Sequence, residues 1–274
     1  MTPAASGESA PAVQAIGLAA SAAHPLSLAE LNARAELLAR HDNSYLVPAG
    51  VFADFAARLT DPRRPAETSG PFRVLSIGGL RSFRYHSTYY DTTGVRTFHD
   101  HRQGRRLRFR VRERVYEDSG ERQFEVKLKS GRGETVKYRQ RMAGSDHPLD
   151  GPRREFLADV LRESYGIEAP RGLTPALVTD YRRVTFVAEG QRITCDAGLV
   201  VREWATGREA VADGGLVLVE TKTKGHLTEA DRMLNGYGLR PADFTKYSAG
   251  TAALYPELGR NLWARAVRAV FPRG

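Results

Sequence analysis

Residues 105–115 read RRLRFRVRERV, with arginine at every second position of the alternating run. Arg106, Arg108, Arg110, Arg112 and Arg114 share one parity; Leu107, Phe109, Val111 and Val115 share the other, which only Glu113 breaks. Alternate side chains of a β-strand leave on opposite faces, so this stretch predicts a strand with one guanidinium face and one hydrocarbon face. A face that merely meets water mixes Lys, Glu, Thr and Ser, because a row of like charges repels itself. Arginines in a row predict a polyanion in front of them, since the planar guanidinium fork matches phosphate oxygens two at a time.

The same inverted alternation returns along the chain. Glu125, Lys127 and Lys129 alternate with Phe124, Val126 and Leu128; Lys137, Arg139 and Arg141 alternate with Val136 and Tyr138. Tyr181, Arg183 and Thr185 share a parity, as do Arg192, Thr194 and Asp196, and Glu220, Lys222 and Lys224 extend from the apolar run of residues 216–219. Charged faces repeated in this way predict a sheet that surrounds something: a closed or nearly closed antiparallel barrel with a basic interior and helices outside. The plainer alternative is an ordinary α+β sheet with a basic outer face.

Helical patterns flank these strands. Ser27 and Glu30 form a capping box opening a helix over residues 28–41, followed by a short strand, NSYLVP, at residues 43–48. Val51, Phe52, Phe55 and Leu59 form one stripe of a helix over residues 51–61. Residues 72–91 hold one or two strands, and residues 92–104 read as a turn-rich connection. Residues 154–166, 226–238 and 251–271 read as further helices, and residues 131–134, GRGE, as a hairpin turn. Residues 1–25 are expected to be a disordered Ala/Ser-rich tail, lacking the basic start and unbroken apolar stretch of a signal peptide. Residues 26–270 are then expected to form a single domain.

With 274 residues, a net charge of +9 and a pI near 9.8, the chain can bury a sizeable core and suits an anionic partner. Its single cysteine, Cys195, excludes an internal disulfide and a cysteine-based zinc site; it sits on an apolar parity, as a packed thiol would. It suits a reducing, cytoplasmic setting, and no apolar run is long enough to span a membrane. The weight of Arg and Ala points to a GC-rich bacterial genome. Nucleic-acid binding, the default for a basic chain, lacks a basic helix or interleaved exposed aromatics. The motifs of P-loop, zincin and serine-hydrolase chemistry are absent from the sequence. His99 and His101, flanking Asp100, are expected to be solvated in a polar turn.

In order, RHDNSYLVP, STYYDT, RLRFRVRE, FEVKLKS, TVKYR, YRRVTF, QRITCDAGL, LVLVETKTKG and FTKYSAG resemble the VTC domain. That domain is the polyphosphate polymerase module of the CYTH-like triphosphate tunnel superfamily. The resemblance covers residues 40 to about 250. It implies an α+β fold: an eight-stranded antiparallel β-barrel, the triphosphate tunnel, with helices packed outside. It further implies transfer of the γ-phosphate of ATP onto a growing polyphosphate chain, with Mn2+ or Mg2+ as cofactor.

Position by position, Arg108 and Arg110 match the family's R-x-R phosphate pair, Lys127 its E-x-K lysine, and Lys137 and Arg139 the following K-x-R. Arg183 and Arg192 match two further phosphate arginines, Lys222 lies beside the metal-binding Glu220, and Lys246 matches a lysine near the family's S-K-Y segment. The implied catalytic set is Arg108, Arg110, Lys127, Arg183, Arg192 and Lys246; the implied phosphate-binding set adds Lys137, Arg139 and Lys222. Glu125 and Asp196 assist a metal or pair with the surrounding cations. One position departs: where the family's first strand carries a lysine, this chain has Ser44, with Arg40 and Asp42 on the same parity. The expected partners are ATP and polyphosphate, with association through a separate membrane protein left open. A triphosphatase and a non-catalytic polyphosphate-binding relative are the competing functions, because the same tunnel serves each.

Overall fold

The computed structural model describes residues 9–35, 39–65, 70–129, 135–143, 149–223, 227–259 and 263–272. Its strands are β1 (Pro25–Leu26), β2 (Ala39–Pro48), β3 (Arg73–Leu75), β4 (Phe83–Asp91), β5 (Phe109–Tyr116) and β6 (Glu121–Lys129). They continue with β7 (Thr135–Met142), β8 (Thr174–Ala188), β9 (Gln191–Glu203), β10 (Glu209–Val211) and β11 (Leu216–Thr223). The helices are α1 (Pro11–Ala22), α2 (Leu28–Ala35), α3 (Ala49–Thr60), α4 (Arg96–Arg102), α5 (Gly151–Tyr165), α6 (Glu229–Gly236), α7 (Lys246–Leu254) and α8 (Ala264–Val270).

Around the molecule, β8, β4, β5, β6, β7, β2, β11 and β9 are successive antiparallel neighbours, and β9 returns to pair with β8. The ring is weakest between β7 and β2, where the ladder holds only Ala39↔Val136 and Arg40↔Thr135. The large antiparallel sheet therefore rolls into a barrel that stays open along most of one seam. Beyond the ring, β3 and β1 extend from β8, and β10 extends from β9.

The apolar parity faces outward, where the helices cover it. Tyr45, Val47, Phe186, Ile193, Cys195, Val217 and Val219 pack with Ile16 of α1, Phe52, Phe55 and Leu59 of α3, and Leu234 of α6. On the opposite side Phe109, Val111, Phe124 and Val126 pack with Leu157, Val160 and Leu161 of α5. The helix ends are specified locally. Ser27 and Glu30 exchange the two bonds of the capping box, and Thr228 with Asp231 does the same for α6. Asp150 caps α5, which ends on Gly166 in the left-handed region. Glu113, the parity breaker, points outward, where its carboxylate accepts from Arg122 and the buried Arg153. No helix of the described residues is long and apolar enough to cross a membrane.

Several elements differ from the sequence expectation. The stretch expected to be a disordered tail contains α1, with Pro at its start and Ala12, Ile16 and Ala20 buried four residues apart. It is held by a bond from Ala12 N–H to Gly214 O of 2.9 Å. The helix expected to reach residue 41 ends at Ala35, because β11 offers a long partner that draws residues 39–48 into β2. The connection at residues 92–104 contains α4, whose Arg96 N–H donates to Thr92 Oγ1 and whose Thr97 and Phe98 N–H groups donate to the Asp91 carboxylate. The single C-terminal helix is broken at Tyr255 before Pro256, and its first part begins earlier, at Lys246. The arginine strand begins at Phe109, so Arg106 and Arg108 precede it. The turn expected at residues 131–134, and Lys224, lie outside the described residues.

An N-terminal helix built into the outer core makes a direct prediction. Ile16→Ala should lower the free energy of unfolding by about 2–5 kcal/mol, the usual cost of truncating a fully buried aliphatic side chain. Chemical denaturation would measure it; a change near zero would mean that α1 is not part of the fold.

Candidate functional site

Residues paired across antiparallel strands point to the same face. One wall of the interior is therefore read off as the rungs Tyr89↔Arg112↔Glu125 and Ser87↔Arg114↔Gln123, with Arg110↔Lys127↔Lys137 beyond them. The other wall carries Arg183↔Asp196, Thr185↔Thr194↔Glu220↔Ser44 and Arg192↔Lys222↔Asp42. Helix α7 closes on both walls. Its Lys246 ammonium reaches Asp196, while Arg110 donates to Thr245 Oγ1 at 2.7 Å and to Ser248 Oγ at 2.5 Å.

Two buried carboxylates each hold two cations. Glu125 accepts from Arg112 and, at 2.8 Å, from Lys137. Asp196 accepts from both arms of Arg183, at 2.5 and 2.7 Å, and from Lys246. Glu220 contacts the Lys222 ammonium, which also lies 3.3 Å from Thr194 Oγ1. Tyrosines fill the space between these groups. Tyr85 and Tyr181 stack with centroids 5.4 Å apart, Arg183 lies over both, and Arg114 lies over Tyr85. The Lys246 ammonium sits 4.4 Å from the centre of Tyr181.

The electrostatics show that these groups share one interior. Burial raises the Tyr89 phenol, yet the charges of Arg112 and Arg114, from its own wall, and of Lys246, from α7, bring it below its ordinary value. Burial likewise raises Glu220, and Lys222, Lys246, Lys127 and Arg183 together hold it well below the usual carboxylate range. Glu125 and Asp196 are depressed in the same way: burial works against Arg112 and Lys137 in the first, and against Arg183 and Lys246 in the second. Burial, with Glu125 opposing it, brings the Lys137 ammonium down to about 8, and burial brings Arg110 down to about 10. Cations outnumber carboxylates in this space, so an added polyanion meets a field already set to receive it.

Of the residues singled out from the sequence, Arg110, Lys127, Lys137, Arg183, Lys222, Glu220 and Lys246 come together here. Arg192 is half-buried on the interior parity, opposite Lys222 at one end. Arg108 is half-buried in the loop before β5, donating to Gly104 O and, at 2.7 Å, to Arg105 O. Arg139 is exposed beside the open seam. Missing from the sequence-derived site were Arg112, Arg114 and the tyrosines 85, 89 and 181. Their signal was present, since Arg112 and Arg114 share the parity of Arg110. His99 and His101 are not in a solvated turn: they lie on α4, and burial pushes the His101 imidazole down to about 2. Cys195 is buried, as its parity indicated.

The residues present fit a divalent ion in one way. Both oxygens of Glu125 and of Asp196 are taken by cations, whereas in Glu220 only Oε2 is engaged among the described groups. Mg2+ and Mn2+ are commonly held by one or two carboxylates completed by water and substrate phosphates. Glu220 offers that single carboxylate next to the cationic space.

A family model described as the VTC domain matches residues 33–255. No curated protein matches the chain. Among solved structures, a candidate adenylate cyclase from Bacillus halodurans is 13% identical, with a TM-score of 0.42 over 75% of this chain and 93% of its own. A candidate adenylyl cyclase from Hippeastrum, described as having a dominant triphosphatase activity, is 13% identical at TM-score 0.40, over 78% and 95% of the two chains. An RNA triphosphatase from Schizosaccharomyces pombe is 11% identical at TM-score 0.24, over 66% and 55%. The family match spans most of the chain and runs from β2 through α7, the segment that supplies the basic interior. It supports a polyphosphate- or triphosphate-related function. The chain belongs to the VTC-domain family.

Proposed function

We propose that the protein is an ATP-dependent polyphosphate polymerase that transfers the γ-phosphate of ATP to a polyphosphate chain inside its basic interior. The observation that carries this reading is one cationic interior in which Lys222, Lys246, Lys127 and Arg183 surround Glu220, Arg112 and Lys137 flank Glu125, and Glu220 alone of these carboxylates keeps an oxygen unengaged among the described residues. Phosphoryl transfer needs in-line positioning and charge stabilisation more than covalent chemistry, so this equipment is sufficient.

Glu125 and Asp196 act as positioning residues. Each fixes two cations before substrate arrives, so little reorganisation is needed as charge spreads over the transferring phosphoryl oxygens. Arg183 and Lys246 then face one side of that group, and Arg112 and Lys137 the other. The tyrosines and α7 exclude water, which strengthens every interaction inside. Glu220 would hold a divalent ion, which would supply neutralisation of phosphate charge when bound. Purified protein incubated with ATP and Mn2+ should give polyphosphate ladders on a gel. Free phosphate alone would replace polymerase with triphosphatase, and tight triphosphate binding without turnover would leave a receptor.

Lys137 gives the site a pH dependence. Its ammonium titrates near 8 in the free protein. A bound polyanion favours the charged form, so binding above that pH takes up a proton. Tripolyphosphate affinity should therefore fall as pH rises above about 8, by at most about tenfold per pH unit. Calorimetry of Lys137→Arg, which keeps its charge, should show a flatter dependence than the natural protein. Equal slopes would remove Lys137 from the binding site.

A further inference from the structure

The outer face of β4, β5 and β8 carries a second cluster that the basic interior does not use. His86 and Asp180 are register partners on β4 and β8, and His86 Nδ1 lies 2.7 Å from Asp180 Oδ1. Glu117, just past the end of β5, is tied to β4 by its N–H on Arg84 O. One ligand atom each from His86, Glu117 and Asp180 fall within 4.8 Å of one another. The neighbours Tyr85, Ser87 and Tyr181 have the opposite parity and face the interior, so the two sites lie on opposite sides of the same strands.

We propose that His86, Glu117 and Asp180 bind a Zn2+-class divalent transition ion. One imidazole nitrogen and two carboxylate oxygens form a borderline donor set that suits Zn2+ or Co2+ better than Mg2+. An ion replacing the proton between His86 Nδ1 and Asp180 Oδ1 needs that 2.7 Å separation to open to about 3 Å, given metal–ligand distances near 2.0–2.2 Å. Both strands are only half-covered here, so the side chains can make that adjustment. Two cations make long ion pairs with the cluster, Arg202 at 3.7 Å from Asp180 and Arg84 at 4.0 Å from Glu117, but each has a closer carboxylate of its own, Glu209 and Asp118, to which it can shift when an ion binds. Glu113, in the same cavity, is already committed to Arg122 and Arg153. Three protein ligands leave a coordination position open toward that cavity of about 300 Å³, which is also lined by Thr88 and Trp204. A water or a small anion would complete the ion there.

Trp204 is half-exposed at the site, and the second tryptophan, Trp263, is buried elsewhere. Titrating the full chain with Co2+ while following tryptophan emission should give saturable quenching, absent in Trp204→Phe, and Zn2+ should compete with it. His86→Gln and Glu117→Gln should each weaken the quenching at least about tenfold, with thermal unfolding and tripolyphosphate binding as controls for an intact fold. Glu220→Gln should leave the quenching unchanged. Quenching that ignores His86→Gln and Glu117→Gln, or that vanishes in Glu220→Gln, would overturn the proposal, as would the absence of saturable binding in the natural protein.

Discussion

Glu220→Gln should lower Mn2+-supported turnover by about 10²–10³-fold, the scale on which one electrostatic contact to a reacting group contributes to rate. The substitution keeps the shape of the side chain and removes its charge. Metal-free binding of tripolyphosphate should move the other way. Glu220 is an anion among Lys222, Lys246, Lys127 and Arg183, so neutralising it removes a repulsion toward the bound polyanion. Affinity measured in the presence of a chelator should therefore hold or rise while turnover collapses. A purely structural role for Glu220 predicts that both measurements fall together, with a lowered unfolding temperature. Unchanged turnover would remove Glu220 as the metal ligand.

That opposition between binding and turnover can be posed because the charged parity was legible in the sequence. Arg110, Arg112 and Arg114 keep one parity without a break, opposite hydrocarbon except at Glu113, and two-residue periodicity survives folding unchanged, so the inward face of β5 followed directly. The same held for Lys127 on β6, Lys137 on β7 and Glu220 on β11. Which strands neighbour which was not legible. Strand β2 lies between β7 and β11, far from both in sequence, and no local pattern encodes such a pairing. Lys246 was placed in the site by the resemblance, but its partner was not legible for the same reason. Lys246 reaches Asp196 only because the helix begins at residue 246 and closes over the walls.

Local signals were also outweighed by distant contacts. Residues 92–104 are polar and contain Gly94, which favours a turn. Yet Asp91 caps α4, and Phe98, fully buried, packs against Trp263, so tertiary contacts supply what local propensity lacks. In α1, by contrast, the spacing of Ala12, Ile16 and Ala20 was a readable helical stripe. The Ala/Ser composition around it concealed three buried positions on one face.

Ser44→Lys should raise turnover by up to about 10²–10³-fold while changing ATP affinity much less. Ser44 is the register partner of Glu220, so a side chain introduced there starts with its Cβ about 5 Å from the Cβ of Glu220, on the interior face. Residue 44 contributes its carbonyl, not its side chain, to the bond from Ala242 N–H at 2.7 Å, so the local backbone tolerates the exchange. The new ammonium would join Lys222 beside Glu220, and one more cation among many adds modest ground-state binding. Charge that develops only during transfer responds more strongly to a well-placed ammonium, so the gain should appear in kcat rather than in KM. Arginine elsewhere does not reproduce this, because a guanidinium fork and a compact ammonium place their charge differently. If Ser44→Lys leaves turnover unchanged with binding intact, either another residue already performs the task or the protein is a receptor. Arg40→Ala separates those outcomes: lost turnover assigns the task to Arg40, and turnover absent from the natural protein, Ser44→Lys and Arg40→Ala alike leaves the receptor.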